Sequence, residues 1–225
     1  MKGSPESRVP GPESRVDVGR GTQDAGLERR RLGLVDFDEA WALQRELATK
    51  ATPERGFLLL LEHPPVFTLG RNGDAANVLD PGGIPVKRID RGGDVTYHGP
   101  GQLVGYVIRD IARMGVKAHV RSLEDSVLDL LAGLGVAARR KEGCVGAWAA
   151  GGKIASIGVR VSRGVSLHGF ALNVTGDLSL FGRIHPCGMP GCAVTSASAE
   201  LGREVPVDEA AERFQLRTAG HMLRS

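Results

Sequence analysis

One cysteine stands inside a run of glycine and proline, Gly182-Arg183-Ile184-His185-Pro186-Cys187-Gly188-Met189-Pro190-Gly191. Gly permits backbone angles that other residues avoid, and Pro fixes φ and removes a donor, so the run predicts a shaped loop. A thiol on such a loop is open to a substrate. Cys187 is the candidate nucleophile, one that would carry an acyl group; the rival reading is a small buried apolar residue, the commoner use of a free cysteine. Reactivity requires the thiolate, whose ordinary pKa near ~8.5 falls beside a cation. Lys153, in Gly151-Gly152-Lys153-Ile154-Ala155-Ser156-Ile157-Gly158, is the first candidate for that cation. Its surrounding glycines and small residues would let another backbone approach, and a lysine there could also shuttle a proton. A lysine at the mouth of a strand is usually just a solvated charge. His185, two residues from Cys187, is the second candidate. Alternate residues of an extended segment point the same way, but a loop has no fixed phase, so His185 ranks after Lys153.

Other chemistry fits less well. His185, Cys187, Cys192 and Cys144 are ligand types for zinc, but the paired C-x2-C spacing of structural zinc sites is missing. Gly92-Gly93 and Gly99-Pro100-Gly101 are not followed by Gly-Lys-Ser/Thr, and no G-x-G-x-x-G opens a helix, so a phosphate cradle is unsupported. That segment reads instead as backbone lining of a pocket, with Tyr97 and His98 as polar or packing elements. His98 serves equally well as a satisfied structural histidine or as a substrate contact.

The elements that must position these groups follow from pattern. Asp36 predicts an N-cap, with Glu39 three residues on and Ala40, Leu43 and Leu47 at helical spacing. Phe57-Leu58-Leu59-Leu60-Leu61 is a continuous apolar run that predicts a buried strand. Strands are also expected over 66–71, in a short piece between the two glycine pairs of 91–102, and over 104–108. A helix capped by Ser122, with Leu123, Val127, Leu130, Leu131 and Leu134 on one face, should stop at Gly135. Residues 153–174 read as a hairpin turning at Ser162-Arg163-Gly164, and a last helix begins near Asp208 with Ala211 and Phe214 inward. Hairpins among the helices predict an α+β fold with a mixed, mainly antiparallel sheet flanked by helices.

Composition bounds the partners. The chain has 225 residues, enough for a sizeable core in one large domain or two small ones. The net charge of +3 does not call for nucleic acid, and 4% aromatic residues disfavour a base-stacking surface. Three cysteines make a poor disulfide framework, which points to a reducing compartment. No apolar run approaches the ~20 residues of a membrane span and no secretory h-region opens the chain, so the expected location is cytoplasmic. Residues 1–25, rich in Pro, Gly, Ser and Arg, read as a disordered tail, and 26–225 as one catalytic domain.

Four ordered motifs carry a resemblance. They are Glu62-His63-Pro64-Pro65-Val66-Phe67-Thr68-Leu69-Gly70-Arg71; Arg91-Gly92-Gly93-Asp94-Val95-Thr96-Tyr97-His98-Gly99-Pro100-Gly101-Gln102; Lys153-Ile154-Ala155-Ser156-Ile157-Gly158-Val159; and Pro186-Cys187-Gly188. Together, over about residues 30 to 220, the chain resembles the octanoyl-[acyl-carrier-protein]:protein N-octanoyltransferases of lipoate biosynthesis. The resemblance implies the core shared with lipoate and biotin protein ligases. It implies an acyl-thioester on Cys187 and Lys153 as the group that lowers the thiol pKa. The acyl-binding segments would be Arg91, Gly92, Gly93, Asp94, Val95, Thr96, Tyr97 and His98, then Ser156, Ile157 and Gly158, then Gly169, Phe170 and Ala171. No metal or other cofactor is expected. The donor would be octanoyl-acyl carrier protein, and the acceptors lipoyl domains of 2-oxoacid dehydrogenases and the glycine cleavage H protein. Neither nucleic acid nor membrane is expected as a partner. Backbone N–H groups near Gly158 or Gly188 are candidates to hold an oxyanion. Two features depart from the family pattern: Gly152 stands before the lysine where a charged residue is frequent, and Cys192 adds a thiol that could pair with Cys187. An ATP-dependent ligase and a non-catalytic acyl-binding module are the alternative readings.

Overall fold

The computed structural model describes residues 23–24 and 26–217. The expected tail therefore lies outside the described residues, apart from Gln23–Asp24, which form a short strand β1. Next come β2 (Leu27–Leu34), α1 (Phe37–Ala48), β3 (Gly56–Glu62) and β4 (Val66–Leu69). They are followed by β5 (Val86–Arg88), β6 (Val95–His98), β7 (Gln102–Ile108) and α2 (Val116–Leu134). The chain continues through β8 (Arg139–Lys141), β9 (Cys144–Ala149), β10 (Gly152–Ser162) and β11 (Val165–Asn173). Two short helices close it, α3 (Ala197–Leu201) and α4 (Val207–Arg217).

The large sheet has the order β1-β2-β3-β7-β11-β10-β9-β8, and a small sheet has the order β5-β4-β6. Among the described strands, β2 with β3 and β4 with β5 run parallel and the other pairs are antiparallel. The fold is thus α+β with a mixed, mainly antiparallel sheet, as expected. β3 explains its own composition. It is an interior strand with apolar layers on both faces, so it needs no polar alternation. Leu58 and Leu60 join the layer of α2 and α4, while Phe57, Leu59 and Leu61 join that of α1. No described helix is long and apolar enough to cross a membrane.

The Asp36 carboxylate caps α1 as expected, accepting from Asp38 N at 2.7 Å. Other local expectations change. α2 starts at Val116, not at Ser122, and its N-cap is Gly115 with no side-chain bond. Ser122 lies inside the helix and turns its hydroxyl back to His119 O at 2.8 Å. The reason is His119: it is 1% exposed and extends the buried stripe of Leu123 and Val127 by one turn, which a count of aliphatic residues misses. β8 and β9 were not anticipated, because Arg139–Lys141 is a charged edge strand with little apolar content. The hairpin of β10 and β11 turns where expected, with Ser162 opposite Val165.

Candidate active site

Lys153 enters the site from the start of β10, at an irregularity where the pairing with β9 shifts between Lys153 and Ala155. Its backbone is clamped from the other side. Lys153 N donates to Ala193 O at 2.9 Å and Thr195 N donates to Lys153 O at 3.0 Å. Gly152 belongs to this clamp. Its φ is +136°, and a Cβ there would stand 2.4 Å from Ala193 O, so a charged side chain at this position would displace the pairing segment. Lys153 is 4% exposed. Its Nζ donates to Val145 O at 2.9 Å and to Cys187 Sγ at 3.1 Å, and it lies 5.4 Å from the centre of the Trp148 ring.

Cys187 sits in a single 3-10 turn, Pro186–Gly188, with φ +58°. A left-handed conformation is unfavourable for a residue with a Cβ, and such strain gathers at functional positions. The turn is held from outside: His185 N donates to Asn77 O at 2.8 Å, and Asn77 Nδ2 donates to Asp94 Oδ2 at 2.9 Å. Gly188 N donates to His185 O at 2.8 Å, so this N–H is occupied and does not fit the expected oxyanion role. His185 borders a separate groove with Pro186 and Cys192, while Lys153 is the side chain bonded to the sulfur. Cys144, Cys187 and Cys192 are all free, so no Cys187–Cys192 disulfide is present. Burial pushes the Cys192 thiol up, which disfavours its thiolate at neutral pH.

Behind the sulfur lies a cavity of ≈ 510 Å³ including its mouth, between the small sheet and β7, β10 and β11. Arg91, Gly93, Asp94, Val95, Thr96 and His98 form one side of its lining. Ser156, Ile157 and Gly158 come from β10, and Gly169, Phe170 and Ala171 from β11. Gly158 pairs with Gly169 across the two strands, which thins the wall where the Arg91 segment comes closest. A Cβ on Gly158 would stand 3.0 Å from Arg91 Cδ and 3.0 Å from Gly92 O. Two expected residues are not in the lining. Gly92 donates its N–H to Val159 O at 2.9 Å, tying the loop to β10. Tyr97 packs between Phe67 and Phe181, each with ring centres 5.5 Å from its own, in a core cluster with Val95.

The far wall holds a buried polar chain. Arg91 Nη2 donates to Thr68 O at 2.8 Å and to Thr68 Oγ1 at 2.9 Å. With its acceptor side used in this way, Thr68 donates to His98 Nε2 at 3.3 Å, and His98 Nδ1–H donates to Gln102 Oε1 at 2.7 Å. His98 therefore has both ring nitrogens satisfied and also borders the cavity. Burial pushes its pKa down to about 3, so it is neutral at pH 7. His63 donates from Nδ1 to Val35 O and accepts at Nε2 from the Tyr106 hydroxyl, both at 2.7 Å. Burial lowers it to about 4 and raises Tyr106. Burial also brings Arg91 down to about 10, a shift that nearby Cys187 opposes. Pattern reading missed Phe37, Ile89, Val104, Tyr106 and His168 in the lining. As single residues on core-facing elements they carry no mark that separates cavity from core.

The architecture is that of known acyl-ligase catalytic cores. A lipoate-protein ligase A bound with ATP superposes with TM-score 0.74 at 19% identity, covering 89% of this chain and 86% of that one. The Thermoplasma acidophilum protein Ta0514, a putative lipoate protein ligase, gives TM-score 0.70 at 20% identity, covering 89% and 85%. These likenesses define the fold class. In sequence, the family described as lipoyl protein ligase A/B catalytic domain matches residues 36–218. An octanoyltransferase of Geotalea uraniireducens is 53% identical over 195 residues, 85% of this chain and 91% of its own. One of Geobacter sulfurreducens is 54% identical over 183 residues, 80% of this chain and 77% of its own. The chain belongs to this family, among its octanoyltransferases, and is a transferase enzyme.

Proposed function

We propose that the chain moves an octanoyl or lipoyl group from acyl carrier protein to a lysine of a lipoyl domain, through a thioester on Cys187. The observation that carries this reading is the 3.1 Å contact between Lys153 Nζ and Cys187 Sγ at the mouth of a largely apolar cavity. In the first half, the Cys187 sulfur attacks the carbonyl of octanoyl-acyl carrier protein. A new C–S bond forms, the bond to the carrier sulfur breaks, and Lys153 gives its proton to the departing thiolate. Thioester exchange is nearly isoenergetic and asks for no ATP. In the second half, a lysine of the acceptor domain enters as its neutral amine and attacks the Cys187 thioester. Lys153, now neutral, takes the proton that the amine loses as the amide forms, and Cys187 leaves as the thiolate. The starting protonation of both groups is restored.

Arg91 and His98 play different parts. The buried guanidinium is anchored on Thr68 and shapes the wall, while His98 borders the cavity as a neutral ring. Each methylene buried there contributes about 0.8 kcal/mol, so cavity depth can select chain length. The acceptors would be the lipoyl domains of 2-oxoacid dehydrogenases and the glycine cleavage H protein. The test is intact mass after mixing with octanoyl-acyl carrier protein without ATP. One octanoyl unit should appear on Cys187 and pass to an added lipoyl domain. No mass increase, or transfer only with octanoate and ATP, would replace this reading with that of a ligase.

A further inference from the structure

Lys153 has two acceptors, and one of them is itself held. Its Nζ donates to Val145 O at 2.9 Å. The N–H of the same peptide unit, Gly146 N, donates to Glu124 Oε1 at 3.0 Å. Glu124 projects from α2, is 8% exposed, and takes Arg140 Nε on its other oxygen at 2.8 Å. One peptide plane thus links a buried carboxylate to the lysine beside the sulfur. Gly146 permits this turn: its φ is +124°, and a Cβ would stand 2.3 Å from Ala155 O and 3.2 Å from Lys153 Cε.

We propose that Glu124 is a positioning residue for the Lys153–Cys187 pair, acting through the Val145–Gly146 peptide. The inference rests on the proposed roles of those two residues and extends them to α2. A carboxylate accepting from an amide N–H fixes the peptide plane. It also polarises the carbonyl at the other end, because hydrogen bonds in series strengthen one another in a buried setting. Val145 O therefore faces Lys153 Nζ as a fixed, strengthened acceptor, and the ammonium is held where its remaining protons reach Cys187. Without Glu124 the peptide N–H loses its acceptor, the plane can rotate, and Lys153 loses its tether while the sulfur turn stays intact. Arg140 keeps a second partner, since its Nη2 also donates to Asp125 Oδ1 at 2.5 Å.

The test is a double-mutant cycle read by iodoacetamide alkylation of Cys187 at neutral pH, with the site assigned by peptide mass. In the wild-type background, Glu124→Ala should slow alkylation roughly tenfold, the scale of losing a charge-assisted hydrogen bond. In the Lys153→Ala background the same substitution should change the rate less than about twofold, because residues in one network are not additive. Glu124→Gln keeps an acceptor oxygen and the side-chain volume. It should slow alkylation by less than Glu124→Ala, again only when Lys153 is present, and it serves if the alanine variant does not fold. Equal slowing with and without Lys153, or no slowing by either variant, overturns the proposal. Octanoyl transfer is measured separately on the same proteins. Failure to form octanoyl-Cys187 would remove the transfer reading without changing the alkylation cycle, and an additive cycle would remove Glu124 while leaving transfer in place.

Discussion

The two polar groups that border the cavity are built by opposite means. At the mouth, Lys153 and Cys187 meet through side chains from a strand start and a separate turn, with the lysine tied to backbone oxygen. On the far wall, His98 and Tyr106, with His63 behind Tyr106, are buried with their ring atoms and hydroxyl paired to neutral partners. Burial favours the uncharged form of the wall, with the two imidazoles brought to about 4 and about 3. At the mouth, Lys153 Nζ has two acceptors, Val145 O and Cys187 Sγ. The difference teaches that one cavity can combine a wall of neutral buried rings with a lysine set against a thiol. The buried imidazoles of the wall are neutral through desolvation, while the Arg91 guanidinium is held there by Thr68 and the Lys153 side chain by Val145 O and Cys187 Sγ.

Removing the sulfur should break the contrast most completely. Cys187→Ala should lower transfer by roughly a thousandfold or more, with no octanoyl adduct in the intact mass and a melting temperature near wild type. Wild-type turnover by this variant would end the nucleophile assignment. Next comes the cation. Lys153→Ala should reduce transfer roughly 100-fold, within the range of a lost proton-transfer group, and slow iodoacetamide alkylation of Cys187. Unchanged alkylation would show that the lysine does not act on the sulfur.

The wall should respond through chain length. Ser156 lies opposite Ala171 in the β10–β11 register and lines the cavity. Ser156→Leu should fill space and shift preference from octanoyl toward hexanoyl donors. Two methylenes at about 0.8 kcal/mol each set a ceiling of roughly 15-fold on the change in kcat/KM ratio. An unchanged ratio would place the acyl chain elsewhere.

The smallest effect is on stability against pH. His63, His98 and His119 are lowered by burial to about 4, 3 and 4. Below the ordinary value near 6.5 the unfolded chain takes up protons at these sites while the folded chain does not. Stability is therefore present above pH 6.5 and falls as pH drops toward 4, by up to about 1.4 kcal/mol per pH unit for each histidine. Thermal melts between pH 7 and 4.5 read this slope. His119 has no hydrogen-bond partner for either ring nitrogen among the described residues, so His119→Phe should make the slope shallower with little change at pH 7. A slope unaffected by this substitution would remove His119 from the acid response.

Sequence and structure contributed different parts of this picture. The apolar run of β3, the Asp36 cap, the hairpin turn at Arg163-Gly164 and the inward face of α4 were legible, since each depends on neighbours within one element. The glycine and proline around Cys187 marked a shaped turn before any fold was known, and the order of four motifs identified the family. The start of α2 was misread because a buried histidine stood in for an aliphatic residue, and β8 was missed because an exposed edge strand has no apolar signature. Local chemistry thus named Cys187 and Lys153 as candidates and ranked Lys153 above His185. Tertiary structure alone decided that Lys153 Nζ and Cys187 Sγ stand 3.1 Å apart across 34 residues of chain, that Tyr97 is not in the cavity lining, and that a glutamate on α2 reaches the lysine through one peptide. The physical reason is that residue type and spacing govern the backbone within an element. The meeting of side chains from different elements depends on strand register, bulges and the packing of two sheets, and those are set by the whole chain at once.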